Sequence, residues 1–408
     1  MKTQRVKGTR DIAGPDMAAF RKVGQVFSQA CAGWGYREVK TPTIEYLHLF
    51  TSVGTLTPQM LAKVYTFLDW DGWSGERVVL RPDGTIPVAR LYVESPDKGK
   101  LARLFYFTNI FMFDESGRKS RERWQAGVEM IGADTPLAEV ELVALSREIL
   151  ADLGVTGNRL VISHAGLIRT LVAHLGVDED AKTKIFHRIL EGDTKAFGNL
   201  TETGSALYRA ALPFLQSKGS STKYAAKFKA SLPKGNADVE KCLEDLIQVT
   251  GLLDEAGFDY EIDIASGTGF EYYTGIVFQY YLGKEKICGG GRYDNLIPAM
   301  GGGKMGALGF AVYTDKLLPL VTITADEVAP VMVDIAKGGS VKEVLALTGA
   351  LRAAGYAAQM DIGRPSVAQE PCRVEITAGP EFTVRLDGSK KKAKTYEQVI
   401  EFLGGRRG

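Results

Sequence analysis

Three short strings of this chain place charged, amide and aromatic side chains at spacings that suit a small polar ligand. Arg81, Pro82, Asp83, Gly84 and Thr85 follow one another, combining a guanidinium, a carboxylate, a hydroxyl and a glycine turn. Asp83 could hold an ammonium group, with Thr85 adding a second polar contact. An Arg–Asp pair beside a glycine also reads as a plain turn. Gln125 and Glu129 share a face if their segment is a strand, while Trp124, Ala126 and Val128 take the other face and enter a core. A polar pair among such neighbours needs a partner, because unpaired buried polar groups are costly. A bound cationic or polar ligand would serve, and so would an internal arginine. Tyr272 and Tyr273 lie in a β-favouring run after Phe270, so one can line a pocket while the other packs. Ordinary aromatic sheet packing is the competing reading. The glycines of Gly289-Gly290-Gly291-Arg292-Tyr293-Asp294 permit close backbone approach to a ligand or a tight strand connection.

Other chemistries find no support. The glycine string lacks the Walker-A lysine and hydroxyl and does not have the dinucleotide-fold spacing. There is no nucleophile elbow, no HExxH and no carboxylate pair suited to hydrolysis. Cys31, Cys242, Cys288 and Cys372 are far apart, and His48, His164, His174 and His187 lack metal-ligand spacing, so neither a disulfide framework nor a metal site is expected. Lys+Arg (50) and Asp+Glu (49) nearly cancel, which lowers the expectation of a dedicated nucleic-acid binder. No signal-peptide-like or membrane-spanning run is found, and a cytoplasmic location is expected.

The elements that must carry these strings are legible in outline. Apolar residues at helical spacing from Met17 to Ala30 predict a helix, and 77–80 reads as a strand with Asp83 on a turn at the sheet end. Residues 104–113 and 123–131 read as an antiparallel pair. Helices are expected at 136–153, 168–176, 179–190, 201–212 (stopped by Pro213) and 238–257. Residues 217–237, rich in Lys, Ser and Gly, read as an exposed insertion or hinge. Strands are expected at 260–264, 270–281 and 306–312. Helix and strand mix without regular βαβ spacing, which favours an α+β class with a largely antiparallel sheet. A pattern break near 322–327 separates a core at 1–322 from a small C-terminal α/β domain at 328–408. That domain's basic run, SKKKAK at 389–394, reads as a solvated turn.

Taken in order, LRPDGT, WQAGVEMIG, EYYTGIVF and CGGGRYDNL, with KGTRDI at 7–12 and MGALGFAV at 305–312, resemble the catalytic core of class II histidyl-tRNA synthetases. The resemblance implies a six- or seven-stranded antiparallel sheet with flanking helices, usually built as a dimer. It also implies that Asp83, Thr85, Gln125, Glu129, Tyr272 and Tyr273 contact bound histidine, and that Arg90 lies near its carboxylate or a phosphate. Asp83 departs from the glutamate usual at that place; it keeps the charge and shortens the reach.

The larger departures concern cations. Met112 stands where the family's Phe-Arg-x-Glu string has its arginine, Thr268 where a second arginine precedes the tyrosine pair, and Lys316 where the third signature ends in arginine. Adenylation needs clamps on developing phosphate charge, and each lost clamp costs about 10²–10³ in rate by analogy with an oxyanion-hole donor. Lysine lacks the flat guanidinium that stacks on a base. The pattern is similar to a branch of synthetase paralogues that serve as regulatory subunits of short-form ATP phosphoribosyltransferase. That resemblance implies a chain without catalysis or cofactor of its own, with the catalytic subunit as partner, free histidine as feedback effector, and self-association within a hetero-oligomer. An RNA-binding synthetase paralogue is the alternative.

Overall fold

The computed structural model describes residues 3–52, 61–70, 75–114, 120–190, 206–266, 273–322, 330–335, 339–363, 372–376, 381–386 and 389–404. The chain forms two compact units, Met1–Ile323 and Thr324–Gly408.

An eight-stranded sheet organises the first unit. Its strands run in the order Arg37–Glu38, Ala102–Phe111, Glu122–Ile131, Ala307–Tyr313, Glu285–Arg292, Ile276–Leu282, Arg159–His164 and Glu261–Ile262. The six central strands pair antiparallel. The two short outer strands pair parallel to their neighbours. The sheet thus has more strands than the six or seven expected, because both edges gain a short parallel strand. Its core-side face carries Phe105, Ala126, Val128, Met130, Phe278, Tyr280, Phe310 and Val312 in one apolar cluster. The helices Gly14–Gly33, Pro136–Asp152 and Ala237–Glu255 contribute to the same cluster through Val23, Phe27, Leu142, Ile149, Leu246 and Leu253, all buried at helical spacing. A smaller three-stranded sheet places Gly75–Leu80 between Ile44–Tyr46 and Thr66–Trp70. Among the described residues, no helix is long and apolar enough to cross a membrane.

Three local expectations are corrected. Pro213 does not stop its helix, which runs Ala206–Leu215. A proline so near the C-terminal end forfeits little of the ladder, Gln216 N–H still bonds to Leu212 O, and buried Phe214 and Leu215 hold the last turn. The 217–237 segment is not simply an exposed insertion. It contains the helix Thr222–Ser231, which buries Ala225 and Phe228 completely and stacks the Phe228 ring on Phe214 with centroids 4.4 Å apart. Lysines on its outer face masked that buried stripe. Phe228→Ala is expected to cost about 3–5 kcal/mol of stability, read as a lower midpoint in chemical denaturation. The glycine string is not a strand connection: Gly289, Gly290 and Gly291 lie inside the central strand Glu285–Arg292.

The second unit is a five-stranded sheet in the order Ala358–Met360, Val331–Ile335, Arg373–Ile376, Phe382–Leu386 and Ser389–Ala393. The helices Val341–Ala353 and Tyr396–Leu403 complete its core around Val333, Leu347, Val374, Phe382 and Val399. Ser340 and Glu343 form a reciprocal capping box at the first of them. Residues 389–393, expected as a solvated turn, form an edge strand instead. Alternation buries Ala393 and lays Lys391 over the Phe402 ring at 5.1 Å, while Lys392 pairs with Glu381 at 3.1 Å. Lysines on an exposed edge also discourage pairing with other chains.

Candidate functional site

Register puts the polar residues of the sheet on the face away from the helical core. Glu129 lies opposite Leu104 on one side and Gly309 on the other, and Gly127 opposite Tyr106 and Ala311. Gln125 and Glu129 therefore share a face, and Ala126 and Val128 take the core side, as alternation implies. Two glycine features clear the polar face. The Tyr106 ring passes between Gly84 and Gly127, where a methyl group at either would overlap it. A methyl group on Gly309 would overlap both Oε2 of Glu129 and the backbone oxygen of Val128.

Glu129 is the electrostatic centre of this face. Only 1% of it is exposed, and it accepts a hydrogen bond from the Tyr293 hydroxyl through Oε2. Burial dominates its chemistry and pushes its carboxyl up to about 8, against the opposing help of Tyr293, Thr85 and Tyr106; Asp83 adds to the rise. Oε1 of Glu129 and the Tyr106 hydroxyl are both buried and form no hydrogen bond with protein groups, although Thr85 and Glu129 sit close enough to Tyr106 to influence it. Polar atoms so placed are expensive unless something answers them. Tyr273 stands near Tyr293, with ring centroids 6.4 Å apart.

The RPDGT string enters beside Glu129 as the start of the helix Thr85–Glu94. Asp83 Oδ1 accepts the Ile86 N–H at 3.0 Å, capping that helix. Desolvation raises the Asp83 carboxyl from its ordinary value, opposed by the amides of Ile86, Thr85 and Gly84 and by Gln125. Gln125 Oε1 accepts the Gly84 N–H at 3.2 Å, joining the two strings directly.

Two arginines are spent elsewhere. Arg81 is buried, and its guanidinium donates to the carbonyls of Asn109, Thr41 and Pro42 and to the side chains of Thr108, Thr41 and Asn109. Arg90, expected near a ligand carboxylate, is instead held by both oxygens of Glu45, at 2.7 and 3.0 Å, and by Glu94 at 2.7 Å. A guanidinium so engaged has little left for a ligand, because Glu45 is itself buried and needs it.

Of the altered cation positions, Met112 lies half-buried just past the Ala102–Phe111 strand, its N–H bonded to Arg121 O. Arg121 donates to the Asp114 carbonyl and stacks over Phe113 at 4.5 Å. Lys316 is paired with Glu285 at 2.6 Å. Its neighbour Asp315 accepts from Arg10 at 2.6 Å and from the Trp124 N–H at 2.7 Å, tying the KGTRDI segment to the Glu122–Ile131 strand. A cavity of about 620 Å³ next to Gln125 is lined by Arg123, Lys286, Tyr313, Asp315 and Lys316, among others. Tyr272 and Thr268 lie outside the described residues. Asp83, Thr85, Gln125, Glu129 and Tyr273 thus come together, and Arg90 does not join them. Sequence reading missed Tyr106 and assigned Tyr293 no role of its own.

An antiparallel sheet with helices on one face and a buried acid–tyrosine cluster on the other is the class II synthetase arrangement. Residues 8–317 match the histidyl-tRNA synthetase family, and the chain belongs to that family. Over 405 residues, 98% of each chain, it is 42% identical to the ATP phosphoribosyltransferase regulatory subunit of Dehalococcoides mccartyi. Its identity to the histidine–tRNA ligase of Archaeoglobus fulgidus is 32% over 416 residues, 98% of this chain and 97% of the other. In fold it resembles an ATP phosphoribosyltransferase regulatory subunit/histidyl-tRNA synthetase from Bacillus halodurans, with TM-score 0.76 and 24% identity over 90% of this chain and 95% of that one. The apo histidyl-tRNA synthetase of Staphylococcus aureus gives TM-score 0.69 and 21% identity over 98% and 99%.

Proposed function

We propose that this chain is the non-catalytic regulatory subunit of an ATP phosphoribosyltransferase, and that its Glu129 pocket binds free histidine to convey feedback on the first step of histidine biosynthesis. One observation carries the reading: the acid, amide and tyrosine groups of an amino-acid pocket are assembled, while the adjoining cation positions are disarmed. Methionine at 112 offers no charge, and Lys316 lacks the flat guanidinium and pairs with Glu285 at the surface. Such a chain can recognise histidine without stabilising the phosphate charge that adenylation develops.

In this reading Asp83 and Gln125 face the ammonium end, Glu129 takes the imidazole, and Thr85 and Tyr273 complete the walls, with Tyr272 assigned by the family pattern alone. Feedback requires histidine to bind the inhibited assembly more tightly than the active one. Self-association as a dimer within the hetero-oligomer belongs to the same proposal.

The test is turnover by the short-form catalytic subunit from the same organism, with and without this chain, across a histidine titration. Strong activation that histidine reverses is the expected result, together with no histidine-dependent ATP–pyrophosphate exchange by the chain alone. Absence of any effect on the partner, with both proteins folded, would overturn the reading in favour of an RNA-binding paralogue.

A further inference from the structure

Tyr106 carries a hydroxyl into the buried polar face and leaves it unanswered beside an equally unanswered carboxyl oxygen. We propose that Tyr106 is a positioning residue for the ligand ring: a small turn of the Glu129 carboxyl brings its free oxygen onto the Tyr106 hydroxyl, and with Tyr293 on the other oxygen this fixes the carboxyl group to share one proton with a basic ring nitrogen. This rests on the histidine reading and adds how the pocket selects the ring.

The geometry supports the role in three ways. The ring is clamped between Gly84 and Gly127, which holds the hydroxyl at a fixed position for the Glu129 carboxyl to meet. Tyr106 projects from the strand that pairs directly with Glu129's strand, one alternation along the same face. Only 2% of Tyr106 and 1% of Glu129 are exposed, so bulk water does not compete for either group. The other groups acting on Glu129 are Tyr293 from the segment after the Glu285–Arg292 strand, and Thr85 and Asp83 from the start of the Thr85–Glu94 helix.

Proton accounting makes the role measurable. A free imidazole titrates near ~6.5, and Glu129 in the free pocket near about 8. Between those values the pocket brings the proton and the ring brings none, so binding exchanges no proton with solvent. Below the lower value one proton must be released on binding, and above the higher value one must be taken up; affinity falls on both sides. A hydrogen bond from Tyr106 favours the carboxylate, so deleting it raises the Glu129 value and moves only the upper limb, to higher pH. The ligand's own ammonium titrates identically against both proteins and cancels from the comparison.

The experiment is calorimetric titration of the full chain with histidine and with 3-(2-thienyl)alanine, between about pH 5 and about pH 9.5. The proteins are the wild type, Tyr106→Phe and a form carrying 3-fluorotyrosine at 106. Tyr106→Phe is expected to move the upper limb up by about half a pH unit or more, and to cut the preference for histidine over the thienyl analogue about tenfold. Fluorination strengthens the donor and moves the limb the other way; it decides the matter should the phenylalanine variant not fold. Superimposable pH profiles would overturn the role of Tyr106 while leaving the histidine pocket standing. Failure of the wild type to bind histidine would overturn the histidine reading, and this proposal with it.

Discussion

Glu129→Ala is expected to weaken histidine binding by about 100-fold or more and to move the histidine inhibition curve of the assembled complex by the same factor. The size follows from burial. The imidazole enters a site whose proton-sharing group is this carboxyl, with the Tyr293 hydroxyl bonded to one oxygen and the other oxygen unanswered. Truncation leaves the ring without a proton-sharing partner inside low-dielectric surroundings. The free chain loses much less, because the variant removes an acid that folding already had to desolvate. Its melting temperature should therefore stay near that of the wild type, while the thermal shift produced by added histidine disappears. Glu129→Gln separates charge from shape: it keeps a polar group of the same reach, loses the proton, and should bind histidine with an affinity that no longer falls through an upper limb near pH 8. An unchanged inhibition curve in Glu129→Ala would remove the pocket from the feedback mechanism.

How much of this site could be seen in the sequence depends on whether the information is local. Gln125 and Glu129 were legible because alternation within one strand fixes their face, and that strand reads plainly as Glu122–Ile131. Tyr106 was not, because it sits in an aromatic run where alternate residues look alike. What distinguishes it from Phe105 is its register against Gly127 and its passage under Gly84, both set by pairing across the chain. The glycines at 289–291 read locally as a strand connection as readily as a close ligand approach, yet they lie in a central strand, where the neighbours of Gly290 and Gly291 leave no room for a side chain. A Cβ at Gly290 would collide with Gly309 O and Phe310. The pairing of Arg90 could not be read locally, because its carboxylate partner, Glu45, is contributed from the distant Ile44–Tyr46 strand. The C-terminal helices, by contrast, are set by short-range signals, the Ser340–Glu343 box and the Thr395 cap.

Arg81→Met is expected to destabilise the first unit by at least about 3 kcal/mol, as a fall in the denaturation midpoint. Arg81 looks like a ligand residue in the sequence, being two positions from Asp83, but its guanidinium is directed into the protein. It bonds three carbonyls, those of Thr41, Pro42 and Asn109, and the side chains of Thr41, Thr108 and Asn109. Methionine reproduces the stem and none of the donors, so each acceptor that water cannot reach carries a penalty of about 1–3 kcal/mol. Pro42 is exposed and can be re-solvated, which keeps the total below a simple sum. The backbone of the same residue links two further segments: Arg81 N–H donates to Thr43 O, and Phe111 N–H to Arg81 O. The side chain thus holds together the approach to the Ile44–Tyr46 strand, the end of the Ala102–Phe111 strand and the turn that presents Asp83. Arg81→Lys should recover less than half the loss, since one ammonium cannot span acceptors placed for a planar fork. Histidine affinity should fall in both variants as the Asp83 turn loosens, and by more in methionine than in lysine. A methionine variant with wild-type stability would mean that the acceptors find water, and that the guanidinium is free to serve a ligand after all.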